Sequence, residues 1–215
     1  MHLNGQLAFE RFAIPYFSEQ QRILEIGPES NPSTYRRTLA HLELTWETAD
    51  LVPELMPADS PFRPAVACTH PMHNEYEITV ADDSFDIVVA GQVIQHVRRI
   101  WVWMKELARV TKPGGKLVFV SPISWPFCAA PIDCWRIFPD GMRCLCAEAG
   151  LEVLICEQTA LEPNVSRRQY YGQSSSYGLR ETRLSRTRAA IKAALGWPMP
   201  TALDLITVAQ KPVAT

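Results

Sequence analysis

Short, predominantly apolar runs set the strongest limit on how this chain folds. RILEI (Arg22 to Ile26), FDIVVA (Phe85 to Ala90), KLVFV (Lys116 to Val120) and LDLITVA (Leu203 to Ala209) are each about strand length. Continuous rather than alternating hydrophobicity marks strands covered on both faces. Between them lie stretches with helical spacing, clearest over Val97 to Val110, where Ile100, Trp103, Met104, Leu107 and Val110 recur at three and four. Further helices are expected over Gln6 to Phe17, Pro32 to Leu42 and Asp140 to Ala149, the last closed by Gly150. Leu44 to Asp50 and Leu151 to Cys156 read as two more strands. A brief strand at Ala65 to Cys68 interrupts a proline-rich loop over Pro53 to Pro71. Strands alternating with helices predict an α/β fold: a Rossmann-like, doubly wound, mostly parallel seven-stranded sheet with helices on both faces. Ligands of such sheets bind beyond the carboxyl ends of the strands.

With 215 residues, one substantial domain is expected. Its parts are an N-terminal helical cap (1–21), a core (22–160), a basic insertion (164–200) and a terminal strand (203–210). The net charge of −2 gives no general pull toward nucleic acid or membrane. No apolar run reaches membrane-spanning length, and the N-terminus lacks a basic segment followed by an apolar core, so the expected compartment is the cytoplasm. Six cysteines without a C-x-x-C pattern fit reduced thiols there. Cys68, His70 and His73 are close in sequence, but no fourth ligand is spaced to close a site, and the expectation is no metal.

The stretch ILEIGPESNP (Ile23 to Pro32) is where a strand turns into a loop of the kind that cradles nucleotides. Gly27 allows close backbone approach, and loop N–H groups can face a carboxylate. A second acid, Asp50, closes the next strand. DDSFDIVVAGQVIQHV, a helix, KPGGKLVFVSP and EAGLEV follow in order.

This succession resembles the class I S-adenosylmethionine-dependent methyltransferases, in particular the small-molecule type called methyltransferase domain type 11, over about Arg22 to Gln158. The resemblance implies S-adenosyl-L-methionine as cofactor and S-adenosyl-L-homocysteine as product. It places Glu25, Gly27 and Pro28 beside the methionine part, Asp50 on the ribose hydroxyls with Leu51 next to it, and Asn74 or Glu75 on the adenine. Gly91, Gln92 and His96 follow the fourth strand on the same side. The family commonly shows acid-x-Gly-x-Gly-x-Gly, but this chain has Glu29 in place of a cradle glycine. It also reads Ile94-Gln95-His96-Val97 where Leu-Glu-His-Val is usual.

Acceptor-facing loops of this family follow the fifth strand, here Ser121 to Met142. Asp133 and Arg136 either orient polar substrate groups or pair with each other. Trp125, Phe127 and Trp135 offer aromatic walls. His96 either removes a proton from an acceptor hydroxyl or fixes its loop. Arg167, Arg168, Tyr170 and Tyr171 belong to the basic insertion, which reads as a lid for an anionic acceptor or as a solvated face. The leading expectation is O-methylation of a small polar, saccharide or natural-product acceptor. Alternatives are an N- or C-methyltransferase of a natural-product intermediate, or a non-catalytic scaffold that keeps the fold. The expected partner is that small molecule, anionic in one reading. Nucleic acid is not favoured, and a homodimer is left open.

Overall fold

The computed structural model describes residues 3–55, 67–125, 127–128, 131–161 and 202–213. Its strands are β1 (Arg22–Ile26), β2 (Thr45–Leu51), β3 (His70–Met72), β4 (Phe85–Gly91), β5 (Thr111–Ser124), β6 (Glu152–Thr159) and β7 (Leu203–Gln210). They form one sheet in the order β3-β2-β1-β4-β5-β7-β6. β1 to β5 run parallel to one another, and β7 lies antiparallel between β5 and β6. The expected mostly parallel, seven-stranded sheet is what forms.

Helices α1 (Leu3–Phe12) and α2 (Thr34–Thr38) cover one face, and α3 (Ile100–Val110) and α4 (Pro139–Glu148) the other. Side chains alternate along a strand, so each buried run feeds both layers. Ile23, Ile87, Val89, Val118 and Val120 pack with Ala8, Phe9, Tyr35 and Leu39. Leu24, Val88, Leu117 and Phe119 pack with Trp103, Met104, Leu107, Met142 and Cys146. Each large side chain buried here contributes about 1.5–3 kcal/mol relative to exposure.

Several boundaries differ from the sequence reading. The first helix ends at Phe12 and gives way to a 3-10 turn at Ile14–Tyr16 containing Pro15. The helix expected over Pro32 to Leu42 is only the five residues of α2. The segment before α3 is a separate 3-10 turn, Ile94–His96. The strand expected at Ala65 to Cys68 falls partly outside the described residues; a strand forms at His70–Met72, where Pro71 is tolerated on a sheet edge. Within β5, Lys112-Pro-Gly-Gly has the composition of a turn but lies in the strand. The β4 register jumps there from Thr111 to Lys116 while β4 advances only from Phe85 to Ile87. Gly114 N–H donates to Lys211 O and Lys211 N–H to Gly115 O, so an extension of β7 holds the bulge.

Candidate functional site

β1 has β2 on one side and β4 on the other, so the chain winds away from β1 in both directions and leaves a crevice at the carboxyl ends. Gly27 opens the loop after β1 with φ +62°, and its N–H donates to Ala49 O at 2.9 Å. A Cβ there would lie 2.9 Å from Val93, so both conformation and space call for glycine. At the end of β4, Gly91 receives the Tyr35 ring, which a Cβ would strike.

Glu25 is only 2 % exposed. Its Oε2 accepts from Ser33 Oγ at 2.6 Å and from Trp46 Nε1 at 2.9 Å. Burial pushes its carboxyl up to about 7, against these two hydrogen bonds, which pull it down. Ser33 in turn caps α2, its Oγ accepting from Arg36 N–H. Glu25 thus ties the loop to the sheet from below. Glu29 holds the other end of the loop: Oε1 accepts from Thr34 N–H at 2.7 Å and from Thr34 Oγ1 at 2.5 Å. Those bonds outweigh its partial burial and keep it below the usual carboxylate range. The residue that displaced a cradle glycine is a cap for the following helix.

Asp50 sits at the end of β2. Among the described residues its carboxylate takes one hydrogen bond, from Leu51 N–H at 2.8 Å, and no cation pairs with it. Burial pushes it up to about 6, the Leu51 bond opposing. Beyond β3, Asn74 Oδ1 accepts from Tyr76 N–H in its own turn. Glu75 pairs through Oε1 with Arg98, while its Oε2 is buried without a partner. Of the two residues considered for the adenine, Glu75 has a buried carboxylate oxygen with no partner among the described residues.

After β4, Gln92 has φ +61°, an uncommon conformation for a side-chain-bearing residue and one that collects at functional sites. Its N–H donates to Val120 O, and its side chain to Asp204 Oδ1. Asp204 is fully buried near the start of β7, which antiparallel direction brings to the carboxyl end of the sheet. Asn4 of α1 donates to Asp204 Oδ2 at 2.6 Å and to Thr159 O. Sequence reasoning missed this Asn4–Asp204–Gln92 link, although an acid inside the apolar run LDLITVA was a signal for it. His96 bonds through Nδ1 to Ile132 O, and its Nε2 lies 3.1 Å from Gln95 Nε2. Burial moves the imidazole below its ordinary value, toward the neutral form.

The loop after β5 is knotted on itself. Asp133 and Arg136 form a bidentate pair, with Asp133 also accepting from Cys128 N–H and Arg136 donating to Trp125 O and Trp135 O. Of the two roles considered for Asp133 and Arg136, mutual pairing is what the geometry displays. The Trp135 indole N–H donates to Val97 O, and its ring meets Trp101 edge-on at 6.3 Å. Phe127 is 73 % exposed. Arg167, Arg168, Tyr170 and Tyr171, and with them the basic insertion, lie outside the described residues. His70 is held by Glu47, which also binds Arg22. Among the described residues, no three metal-ligating side chains gather.

Residues 38–119, from the end of α2 into β5, match the family model for a methyltransferase domain. A demethylmenaquinone methyltransferase of Halalkalibacterium halodurans is 47 % identical over 45 residues, 21 % of this chain and 18 % of that protein. The first curated relatives are likewise matched over only 18 % of their length. Among solved structures, the (4+2)-cyclase SpnF superposes with a TM-score of 0.59 at 17 % identity, covering 98 % of this chain and 81 % of that one. Haemonchus contortus phosphoethanolamine N-methyltransferase 2, solved with phosphomonomethylethanolamine and S-adenosylhomocysteine, gives 0.55 at 15 % identity over 98 % and 53 %. No helix among the described residues is long and apolar enough to cross a membrane. Over residues 38–119, less than half of its length, the chain is similar to a methyltransferase domain, and its sheet order is the one on which the solved neighbours superpose.

Proposed function

We propose that the protein transfers a methyl group from S-adenosyl-L-methionine to the oxygen of a small polar acceptor. The observation that carries the cofactor half is Asp50: a desolvated carboxylate at the end of β2 that, among the described residues, has one backbone donor and no counter-charge. An ionised carboxylate has about four acceptor positions, and a ribose diol supplies two donors. The orphaned Oε2 of Glu75 is suited to an exocyclic adenine amine. Gly27, Pro28 and the loop pinned by Glu25 and Glu29 would bound the methionine end, with Leu51, Gly91 and Gln92 along the crevice. These residues fit the cofactor that the family implies. When bound, S-adenosylmethionine supplies an electrophilic methyl group on a sulfonium.

The chain's own contribution is alignment and exclusion of water. The knot of Asp133 and Arg136 fixes the acceptor-side loop, with Trp125, Phe127 and Trp135 in the same segment. His96 is a neutral imidazole that donates to Ile132 O and accepts from Gln95, so its role is to position this loop. Arg167, Arg168, Tyr170 and Tyr171 are proposed to attract an anionic acceptor from the basic insertion.

An acceptor screen with isotopically labelled S-adenosylmethionine and mass detection tests this reading. Labelled methyl ethers are the expected products. Methylated amines or carbons alone would move the assignment to an N- or C-methyltransferase. Cofactor binding with no transfer across hydroxyl, amine and carbon acceptors would leave a scaffold.

A further inference from the structure

Gln95 is 5 % exposed, and its amide orientation is fixed by its neighbours. Nε2 lies 2.8 Å from Gln92 O and 3.1 Å from His96 Nε2. Both are acceptors, because His96 Nδ1 donates to Ile132 O. Flipping the amide would set its oxygen against both. Gln95 Oε1 is therefore the half turned away from them, and it is buried with no hydrogen-bond partner among the described residues. Ser121, 1 % exposed at the end of β5, has an equally unpartnered hydroxyl.

The chain path brings the two groups to the same end and the same face of the sheet. The Gln95 amide folds back onto Gln92, whose own N–H bonds Val120 O, and Ser121 is the next residue. Along β5 Ser121 shares its face with Leu117 and Phe119, the face covered by Ile94 and Val97 of the turn that carries Gln95. Buried polar atoms in native proteins are nearly always paired, and an orphan asks for an explanation. Two of them at the carboxyl ends of β4 and β5 share one explanation, a polar ligand group seated between them.

We infer that Gln95 Oε1 and Ser121 Oγ form a subsite for an uncharged hydrogen-bond donor on the acceptor, its hydroxyl. Both groups are neutral, and burial moves the adjoining imidazole toward its neutral form. A carboxylate at position 95 would suit an ammonium; an amide carbonyl suits an O–H. The subsite is enclosed by the loop clamped through Cys134 N–H to Gln95 O and His96 to Ile132 O, so the acceptor enters by release of that clamp. Gln95 and Ser121 are thus specificity-determining residues, not a source of the methyl group.

The inference rests on the proposed methyl transfer, and its test separates the two. Calorimetry with S-adenosylhomocysteine on the full-length chain first decides cofactor binding alone. A crystal structure of the same chain with S-adenosylhomocysteine should then show an ordered water within about 2.7–3.2 Å of both Gln95 Oε1 and Ser121 Oγ. That water holds the place of the acceptor hydroxyl. Soaking with glycerol, as a hydroxyl probe, should replace it, whereas methylammonium should not. Ser121→Ala should keep the homocysteine affinity and melt no lower than the parent, because an orphaned hydroxyl is removed; it should lose the ordered water. Either atom satisfied by a protein group, a dry site, or a methylammonium ion in place of the water would overturn the inference with cofactor binding intact.

Discussion

Replacing Asp50 by asparagine should move ligand affinity and ligand-free stability in opposite directions. The carboxylate is buried beside a single backbone donor and titrates at about 6 rather than its ordinary 3.8. A group raised in this way contributes stability that is fully present below pH 3.8 and lost as pH rises through 6. The difference corresponds to about 3 kcal/mol. Asparagine never carries the charge, so at pH 8 the ligand-free variant should be the more stable by about 1–3 kcal/mol, while at pH 4 the two should converge. For a chain of this size each kcal/mol shifts Tm by about 2–4 °C. Ligand binding should respond the other way. Two ribose hydroxyls donating to a charged carboxylate contribute about 1.5–3 kcal/mol each, and to a neutral amide about 0.5–1.5. The loss is therefore about 2 kcal/mol, roughly thirty-fold in Kd for S-adenosylhomocysteine. In the parent, affinity should fall as pH drops through 6, because protonation removes the favoured form; in the variant it should stay flat over that window. Calorimetry and thermal melts at pH 8 and 5 measure both effects. Parental affinity in Asp50→Asn, or a variant less stable than the parent at pH 8, would refute the reasoning.

Other perturbations probe the remaining parts of the crevice. Glu75→Ala should weaken S-adenosylhomocysteine by about 1–3 kcal/mol, and the loss should vanish for S-inosylhomocysteine, which lacks the adenine amine; equal losses for both ligands would remove Glu75 from the adenine edge. Gly27→Ala combines a left-handed backbone with a 2.9 Å approach to Val93 and should lower Tm and suppress binding together; a variant with parental melting and affinity would show that the loop tolerates a side chain. Glu29→Gly removes a double acceptor from Thr34 and should lower stability by about 0.5–2 kcal/mol, the range for a lost helix cap, while leaving measurable affinity; an unchanged Tm would mean that the cap is idle.

The parts legible in the sequence were those where one local rule decides. RILEI formed β1 at the expected residues because a short segment dominated by Ile and Leu has few other fates. FDIVVA and LDLITVA gained only a residue each, Gly91 and Gln210, at their ends. What escaped was set by distant partners. Lys112-Pro-Gly-Gly has turn composition, yet Lys211, distant in sequence but just past the neighbouring β7, holds it in register as a bulge. Glu29 looked like a lost glycine, since nothing in the sequence says that its carboxylate reaches Thr34. The buried polar groups were hardest to read: Gln95 and Ser121 stand out by the bonds they do not make among the described residues, and Asp204 by a link to Asn4 two hundred positions away.

The central claim is that the crevice at the ends of β1, β2 and β3 holds an adenosyl ligand, and titration of the full-length chain with S-adenosylhomocysteine tests it most directly. The expected result is a single saturable site that raises Tm as ligand is added, since a molecule binding only the folded state stabilises it by mass action. Absence of both binding heat and any shift in Tm at saturating ligand would contradict the account.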